Sequence, residues 1–473
     1  MAAGTDEATY EGKTALVVGA ARSGLAASEF LLSRGARVVL TDVQKEEALA
    51  KQLAPLRAVA DRGGELVLEF GAHRAASFRN CDFVVLSPGV PSALPCLEES
   101  RRAGIPILSE VELAFRHLKG SLLGITGTNG KTTTTTLVAE LLSRSGFQCR
   151  AAGNIGTPLI SFVARSAPDD IYATELSSFQ LENIQQLRPK VAAILNVTPN
   201  HLDRYPGFEA YMAAKQRIFM NQRSDDFAVL NAGNPQTAAM AKKVSSTPVL
   251  FSRSPDVERG SFVRGGRVIY RDARGEVNLF ETRDISLKGA HNLENVLAAA
   301  AIALLAGGKP DSMIDVVRDF KGVEHRLEWV AEIGGIHFYN DSKATSVDAT
   351  IKSLEAFKGD IQLILGGRDK NGDFAPLRPL VQERVKHVAL IGEAAGKIRD
   401  ALSGTAEMIE AGTLPEAVTL CYRLSQPGDV VLLAPACASF DMFESYEHRG
   451  RVFKEAVRRL TSDVWRATNT SDE

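Results

Sequence analysis

The stretch Gly124-Ile-Thr-Gly-Thr-Asn-Gly-Lys-Thr-Thr-Thr134 decides the fold at the centre of this chain. Apolar residues at 121–126 predict a strand that enters a glycine-rich turn, and the apolar residues after Lys131 recur with helical spacing. Glycines let backbone N–H groups close around phosphate oxygens, and the helix N-terminus adds positive potential. Lys131 can reach the terminal phosphates, while Thr132 can offer a hydroxyl to Mg²⁺. The sequence therefore predicts that the chain binds a nucleoside triphosphate.

The glycine pattern of this turn is shorter than the strict phosphate-loop pattern. Ile125 stands where that pattern has its first glycine, so the match is to residues 127–132. The alternative interpretation is a Gly/Thr-rich turn with a surface lysine. The order of strand, glycines, Lys-Thr and helix favours the phosphate site.

Composition narrows the class of protein. The chain has 473 residues, of which 45% are hydrophobic and 24% charged, and its formal net charge is −2. This length predicts about three domains, and the charge gives no argument for nucleic acid or an anionic membrane as a partner. The longest apolar run, 296–307, is too short to span a bilayer, and the N-terminus lacks the pattern of a signal peptide. The five scattered cysteines are typical of a cytosolic protein without disulfides or a zinc site.

Short strands alternate with helices through three segments, which predicts an α/β protein. Residues 1–109 and 323–473 each predict a Rossmann-like domain, and residues 110–322 predict a central P-loop ATPase domain with a parallel sheet and a small antiparallel β addition. The predicted strands are 15–18, 36–41, 82–86 and 105–108; then 121–126, 171–174, 191–197, 227–231, 267–271 and 277–282; then 336–339, 361–365, 387–391 and 430–434.

The first segment carries an incomplete dinucleotide fingerprint. The turn Gly19-Ala-Ala-Arg-Ser-Gly24 keeps the first and last glycines, but Ala21 replaces the middle one, where the backbone would approach a pyrophosphate. Asp42 ends the second strand, where a ribose-binding acid would lie. An NAD-linked oxidoreductase is one reading of this turn, and Ala21 and the lack of a catalytic His–Asp pair nearby argue against it.

Two polar side chains follow strands of the middle segment and are candidates for metal binding. Glu175 follows strand 171–174, and His201 follows strand 191–197, so both lie at the strand ends where α/β proteins bind ligands. A carboxylate at that edge can hold Mg²⁺ beside a triphosphate. The alternatives are a helix-capping acid for Glu175 and a structural histidine for His201.

Lys215 lies on the apolar stripe of a predicted helix. Burial should lower the pKa of its amine, whose ordinary value is about 10.4. A neutral amine can add CO₂ and become a carbamate, which is an anionic oxygen ligand for a hard cation. The alternative is a lysine whose stem is buried while its head reaches water.

Cationic and hydroxyl side chains follow three strands of the last segment. The stretches are Asn340-Asp-Ser-Lys-Ala-Thr345, Leu365-Gly-Gly-Arg-Asp-Lys-Asn-Gly-Asp-Phe374 and Pro435-Ala-Cys-Ala-Ser-Phe-Asp-Met-Phe443. Together they suit an anionic substrate rich in carboxylate, whereas each one alone is equally compatible with a solvated loop. We interpret Cys437 as a packing residue, because no histidine accompanies it.

With these motifs the chain resembles the Mur ligase family over nearly its whole length. The motifs that carry the resemblance are 127–132, 153–156, 175–181, 201–204, Lys215, 291–295, 325–326, 340–345 and 439–450. The resemblance is nearest to members that add D-glutamate. It implies an ATP-dependent amide ligase that joins D-glutamate to UDP-N-acetylmuramoyl-L-alanine through an acyl phosphate, in cytoplasmic peptidoglycan precursor synthesis. It also implies a monomer without nucleic-acid or membrane partners.

The resemblance implies roles for individual residues. The ATP site would comprise Gly127, Thr128, Asn129, Gly130, Lys131, Thr132, Thr133, Asn292, Asn295, Arg326 and Asp341. Two Mg²⁺ sites are implied, one held by Thr132 and Glu175 and the other by His201 and the carbamate of Lys215. Lys131, Glu175, His201 and Lys215 would be the catalytic residues. The UDP substrate would contact Ser23, Asp42 and Asn154, and D-glutamate would contact Lys343, Thr345, Lys370, Ser439 and Tyr446.

Two other functions compete with this one. Relatives that add other amino acids carry an Asp-Asn-Pro-Arg loop or an Ala-His-His run, and neither stands at the corresponding place here. A non-enzymatic ATP-dependent switch would keep the phosphate loop but tolerate changes at Lys215 and Ser439.

Overall fold

The computed structural model describes residues 10–200, 204–255, 257–287, 289–369 and 372–469, which form three β-sheets flanked by helices. This is the predicted three-domain α/β fold, with a Rossmann-like sheet in the first and last domains and a larger mixed sheet in the middle one. Contacts within the chain divide it into two compact units, Met1–Phe320 and Lys321–Glu473. Among the described residues, no helix is both long and apolar enough to cross a bilayer.

The first sheet has five parallel strands in the order β3-β2-β1-β4-β5. Its strands are β1 (Thr14–Val18), β2 (Arg37–Asp42), β3 (Leu66–Phe70), β4 (Phe83–Leu86) and β5 (Ile107–Ser109). Its helices are α1 (Arg22–Ser33), α2 (Glu46–Ala60), α3 (Ala75–Arg79), α4 (Pro95–Arg102) and α5 (Glu110–His117). The strand order reverses between β1 and β4, and α/β proteins bind ligands at such a reversal.

The second sheet has nine strands in the order β14-β13-β12-β11-β10-β9-β6-β8-β7. The pairs β12–β13 and β13–β14 are antiparallel, and the other pairs are parallel. Its strands are β6 (Ser121–Thr126), β7 (Cys149–Gly153), β8 (Ile171–Glu175), β9 (Val191–Ile194), β10 (Phe227–Asn231), β11 (Thr247–Ser252), β12 (Gly260–Arg264), β13 (Arg267–Asp272) and β14 (Gly275–Glu281). Its helices are α6 (Lys131–Arg144), α7 (Ser178–Glu182), α8 (Phe208–Gln216), α9 (Pro235–Met240), α10 (Ala290–Leu305) and α11 (Met313–Asp319).

The third sheet has the order β15-β16-β20-β17-β18-β19, in which only β15 runs antiparallel to its neighbour. Its strands are β15 (Glu328–Ile333), β16 (Ile336–Asn340), β17 (Ile361–Gly366), β18 (Val385–Ile391), β19 (Glu407–Glu410) and β20 (Val430–Leu433). Its helices are α12 (Val347–Glu355), α13 (Arg378–Arg384), α14 (Ala395–Leu402), α15 (Leu414–Leu424) and α16 (Tyr446–Asn469).

The strands that the sequence does not predict are mostly at sheet edges. Strands β3, β7, β15 and β19 are half-exposed edge strands. Strand β11 has Pro248 at its second position and β12 begins with Gly260, and both residue types weaken a strand pattern. The predicted strand 191–197 ends at Ile194. The central strands β4, β9 and β20 are buried throughout and wholly apolar, which is the pattern of a parallel sheet covered by helices on both faces.

Helix α5 carries two buried carboxylates that accept very different numbers of hydrogen bonds. Glu112 accepts main-chain N–H groups of Gln185, Gln186 and Leu187 at 2.9 Å each and the Arg116 guanidinium at 2.9 Å. Glu110 is only 1% exposed, and it accepts one N–H group, that of Ile160, at 2.7 Å. Its Oε2 has no hydrogen-bond partner among the described residues. Burial therefore raises the pKa of Glu110 to about 7.

We predict that Glu110 makes the stability of the protein fall as the pH rises from 5 to 8. A carboxyl whose pKa is about 7 when folded and about 4.3 when unfolded binds a proton more tightly in the folded state. Its stabilisation is therefore complete below the unfolded pKa and is lost as the pH rises through the folded one. Relative to Glu110→Gln, the unfolding free energy of the wild type should drop by about 3 kcal/mol over this range.

Urea unfolding at several pH values measures this difference, and Glu112→Gln on the same helix is the matched control. A wild type and Glu110→Gln variant with parallel pH profiles would contradict the prediction.

Candidate functional site

The glycine-rich turn between β6 and α6 is closed by its own lysine. Lys131 begins α6, and its Nζ donates to the carbonyl oxygens of Gly127 at 3.0 Å and Thr128 at 2.9 Å. The N–H group of Asn129 donates to Oδ1 of Asn196, which follows β9, at 2.9 Å. The ammonium group and the helix N-terminus together give this turn the positive potential that a phosphate needs. Asn196 is a residue that the sequence analysis missed, although its place after a strand adjacent to β6 is a usable signal.

Gly130 is required at the last position of this turn. Its φ is +82°, and a Cβ there would lie 2.1 Å from Oδ1 of Asn295. Asn295 is buried in α10, and its Nδ2 donates to Oδ1 of Asn292 at 3.2 Å. Asn295 therefore lies against the glycine-rich turn, and Asn292, the other asparagine that the resemblance assigned to ATP, is hydrogen-bonded to it.

Thr132 and Glu175 meet beside the turn. The Thr132 hydroxyl donates to Oε2 of Glu175 at 2.7 Å, and Nδ2 of Asn154 donates to Oε1 at 3.0 Å. The pairing of β6 with β8, and of β8 with β7, sets this adjacency, because the three strands end at the same edge of the sheet. A hydroxyl and a carboxylate at hydrogen-bond distance are oxygen ligands of the kind that Mg²⁺ takes, so the residues fit this cation.

Lys215 lies buried beneath the same turn. Its side chain is 2% exposed, and Nζ donates to the carbonyl oxygen of Gly127 at 2.8 Å and lies 4.6 Å from the ring centroid of Tyr211. Burial lowers the pKa of this amine well below its ordinary value; the charge of Lys131 lowers it further, and Glu175 opposes the shift. Among the described residues, no carboxylate lies within ion-pair distance of Lys215. The reactive neutral amine is therefore more accessible here than in an exposed lysine.

His201 and Lys370 lie outside the residues that the structure describes. The chain just before residue 201 does reach the phosphate-binding turn. The Thr128 hydroxyl donates to the carbonyl oxygen of Thr198 at 3.2 Å and accepts the N–H group of Thr198 at 3.1 Å.

A cavity of about 470 Å³ opens at the strand reversal of the first sheet. Its lining includes Ser23 and Asp42 from the first sheet and Asn154 from the loop after β7. The sequence analysis missed Arg22 and His73, which also line it. The cavity is lined by Gly19, Ala21, Arg22, Ser23, Asp42, Val43, Gln44, His73, Ser87, Pro88, Gly89, Val90, Pro91, Leu94, Gly153, Asn154, Gly156 and Pro158.

Asp42 shapes the floor of this cavity through the main chain. Its Oδ2 accepts the N–H group of Ala20 at 2.7 Å, and its Oδ1 accepts that of Gln44 at 2.9 Å. The carboxylate therefore holds the turn after β1 in place. Asn154 lines the cavity and also donates a hydrogen bond to Glu175. It therefore connects the cavity with the Thr132–Glu175 pair.

In the second compact unit, the ends of β16 and β20 carry the other predicted residues. The Ser342 hydroxyl donates to the carbonyl oxygen of Tyr446 at 2.8 Å, and Lys343 Nζ lies 6.0 Å from the Tyr446 ring centroid. The N–H group of Ala436 donates to the carbonyl oxygen of Ala344 at 2.9 Å, which joins the two strand exits. Lys343, Thr345, Ser439 and Tyr446 therefore belong to one cluster of adjoining loops.

Asp341 is buried beside this cluster. The Ser353 hydroxyl donates to its Oδ2 at 2.5 Å. Burial raises the pKa of Asp341 in spite of this hydrogen bond and the positive charges of Arg326 and Lys343. Arg326 and Asp341, both assigned to ATP by the resemblance, thus lie close enough to interact electrostatically.

Comparison with known protein families identifies three Mur ligase domains along the chain. The chain matches the MurD-like N-terminal domain of Mur ligases at residues 13–109, the Mur ligase middle domain at 125–303 and the Mur ligase glutamate ligase domain at 325–437. The chain belongs to the Mur ligase family.

Two relatives are similar along nearly their full length. The chain is 50% identical to the UDP-N-acetylmuramoylalanine–D-glutamate ligase of Koribacter versatilis, over 95% of this chain and 98% of that protein. It is 51% identical to the protein of the same name from Acidobacterium capsulatum, over 94% of this chain and 96% of that one.

Solved structures of other Mur ligases share the fold. The UDP-N-acetylmuramate–alanine ligase of Thermotoga maritima has a TM-score of 0.56 at 20% identity and covers 95% of this chain and 99% of its own. The MurF ligase of Thermotoga maritima in complex with ADP has a TM-score of 0.54 at 17% identity and covers 80% of this chain and 96% of its own.

We predict that Gly130→Ala weakens ATP binding about tenfold or more, because the new Cβ must displace Asn295 and open the turn. Gly146→Ala, at the other end of α6, is the matched control: its φ is also positive, at +97°, but a Cβ there meets no heavy atom within 4 Å. Both variants carry the backbone cost of about 1 kcal/mol, and only the first carries the clash. Isothermal titration with ATP distinguishes them, and equal affinities would contradict the prediction.

Proposed function

We propose that this chain is an ATP-dependent ligase that joins D-glutamate to UDP-N-acetylmuramoyl-L-alanine. The observation that carries the proposal is identity of 50% and 51% to two D-glutamate ligases over 94–95% of the chain. The buried Thr132–Glu175 pair beside a closed phosphate turn supports the ATP-dependent part of the reaction. The substrates are cytoplasmic metabolites, so we place the reaction in the cytoplasm.

ATP would bind at the turn after β6. Lys131 would leave the carbonyl oxygens of Gly127 and Thr128 for the phosphate oxygens, which are stronger acceptors for an ammonium group. Thr132 and Glu175 would hold Mg²⁺, which offsets the charge of the transferring phosphoryl group when bound. The remaining turn residues and the asparagine pair of α10 would surround the nucleotide: Gly127, Thr128, Asn129, Gly130, Thr133, Asn292 and Asn295.

The UDP-linked substrate would occupy the cavity of the first sheet. Its volume of about 470 Å³ is in the range of a small-molecule site. Ser23 lies in α1 near its N-terminus, which is a favourable place for a diphosphate. Asn154 would position the far end of the substrate, since it contacts both the cavity and Glu175.

D-glutamate would bind at the loops after β16 and β20. Lys343 supplies a positive charge for a carboxylate, and Thr345 and Ser439 supply hydroxyl groups. Tyr446 would close the pocket beside Lys343. Lys370, which the resemblance also assigns to D-glutamate, lies outside the described residues.

The proposed reaction has two steps, and the chain's contribution is to position reactants and neutralise charge. A carboxylate oxygen of the UDP-linked alanine attacks the γ-phosphorus of ATP, the bond to the bridging oxygen breaks, and ADP leaves. The amine of D-glutamate, having lost a proton, then attacks the carbonyl carbon of the acyl phosphate. The nitrogen releases a second proton to water, phosphate leaves with the electrons of the C–O bond, and an amide remains. Lys131 would offset negative charge in the first step.

Lys215 would be modified by CO₂. Its neutral amine forms an N–C bond to CO₂, one C=O electron pair moves onto oxygen, and the nitrogen releases a proton to water. The resulting carbamate, together with His201, would hold a second Mg²⁺. Burial and the neighbouring Lys131 support this proposal, because both favour the neutral amine.

Phosphate release with MgATP and UDP-N-acetylmuramoyl-L-alanine tests the proposed function. D-glutamate, L-alanine, L-lysine, meso-diaminopimelate and L-glutamate should be offered separately, and we expect turnover with D-glutamate alone. Turnover with another acceptor would overturn the D-glutamate assignment but keep the ligase. No turnover with any of the five, in protein that binds ATP, would favour the switch.

We predict that Lys215→Met abolishes the carbamate and lowers ligation at least about a hundredfold, with no recovery in added bicarbonate. In ¹³C-bicarbonate, the wild type should give a carbamate ¹³C resonance that the variant lacks. Lys13 is an exposed lysine directly before β1, and Lys13→Met is the matched control, which should keep both the resonance and the activity. Near-normal ligation by Lys215→Met would exclude a carbamate role.

A further inference from the structure

Arg449 of α16 is a fully buried arginine in the second compact unit, with 0% of its surface exposed. Its Nε donates to the Ser342 hydroxyl at 3.0 Å, and its Nη2 donates to the carbonyl oxygens of Ser342 at 2.9 Å and Cys437 at 3.1 Å. Its Nη1 donates to the carbonyl oxygen of Ala438 at 3.3 Å. The guanidinium group is thus held by neutral oxygens alone.

These hydrogen bonds join the ends of two neighbouring strands, and the end of a third strand packs against them. Ser342 follows β16, Ala438 follows β20, and the order β16-β20-β17 makes the three strands adjacent. Gly367 follows β17 and lies close to the guanidinium, since a Cβ there would lie 3.1 Å from Nη1 of Arg449 and 2.3 Å from the carbonyl oxygen of Ala438. The next residue, Arg368, exchanges main-chain hydrogen bonds with Ala438 at 2.9 and 3.1 Å. The φ of Gly367 is +134°, so only glycine lets the three loops close around the guanidinium.

The charge of Arg449 is not neutralised by an ion pair. Among the residues that the structure describes, no carboxylate lies within 4 Å of its nitrogens, and the groups that oppose the lowering of its pKa are Cys437 first and Asp441 second. Burial lowers the pKa of Arg449 to about 10, which still leaves the guanidinium protonated at pH 7. A buried cation that is bound only to carbonyl and hydroxyl oxygens retains its net charge for an incoming anion.

Two of the three residues that Arg449 holds are next to a residue proposed to bind the amino acid. Ser342 precedes Lys343 directly, and Ala438 precedes Ser439 directly. The Ser342 hydroxyl also donates to the carbonyl oxygen of Tyr446, at the start of α16. A change of a few tenths of an ångström at the guanidinium would therefore move the proposed ligands of the substrate on two loops at once.

We infer that Arg449 is the positioning residue of the acceptor pocket: its planar guanidinium fixes the spacing of the loops after β16, β17 and β20, and its unpaired positive charge favours an acceptor with a second carboxylate. The inference rests on the proposed D-glutamate ligase function and deepens it. Arg449 acts through Ser342 and Ala438 and does not touch the substrate.

The test is steady-state kinetics of Arg449→Lys, which keeps the charge but removes the planar fork. We expect the KM for D-glutamate to rise about 10- to 100-fold, while the KM values for ATP and the UDP-linked substrate change less than about twofold. Arg384→Lys is the matched control. Arg384 donates from Nη1 to the carbonyl oxygens of Leu354 at 3.2 Å and Phe357 at 2.9 Å, in the same unit but outside the proposed pocket. It should lower the melting temperature without changing the KM for D-glutamate.

Ser342→Ala is a milder second variant in case Arg449→Lys does not fold. It removes the acceptor of Nε and should raise the KM for D-glutamate about threefold or more. A KM for D-glutamate that stays within twofold of wild type in the variants, or that rises together with the other two KM values, would overturn the inference. A wild type that does not use D-glutamate would instead overturn the proposed function, and the inference with it.

Discussion

The carbonyl oxygen of Gly127 accepts hydrogen bonds from two lysines, and the proposed nucleotide site depends on this arrangement. Nζ of Lys131 lies 3.0 Å from this oxygen, and Nζ of Lys215 lies 2.8 Å from it. Two ammonium groups on one oxygen repel each other, and the lysine that is buried loses its proton more easily. The pKa of Lys215 is thus lowered by burial first and by the charge of Lys131 second. One main-chain oxygen connects the glycine-rich turn with the buried lysine.

Three buried polar side chains lie at the ends of strands, where the main chain leaves the sheet. Asp42 ends β2, Glu175 ends β8 and Asn340 ends β16, and all three follow apolar stretches that helices cover. At these ends the chain leaves the sheet, so main-chain N–H groups and hydroxyls are available as partners. Asp42 takes the N–H groups of its neighbouring turns, and Glu175 takes Thr132 and Asn154. The sheet topology thereby determines which side chains can act together.

The sequence predicts those strands and motifs whose signal lies in residues that are close together along the chain. Strands β6, β10 and β17 are predicted within one residue of their bounds because they are apolar on both faces. The edge strands β15 and β19 give no such signal, because they are half-exposed and depend on pairing with β16 and β18. The same distinction holds in the site: the Lys131 turn is visible as a local motif, whereas the contacts of Asn154 and Arg449 depend on tertiary structure. The roles assigned to the site residues remain predictions.

Among the described residues, neutral oxygens hold the buried guanidinium of Arg449, and this has an electrostatic consequence. Arg449 donates to three carbonyl oxygens and one hydroxyl. Away from the sites, arginines such as Arg188 are paired with carboxylates, here Asp225 and Asp226. A carboxylate partner cancels the charge that an anionic substrate would otherwise meet, whereas a carbonyl dipole orients the cation and leaves its net charge in place. Every substrate of the proposed reaction is an anion, so a cation held in this second way still adds positive potential to the pocket that the substrate enters.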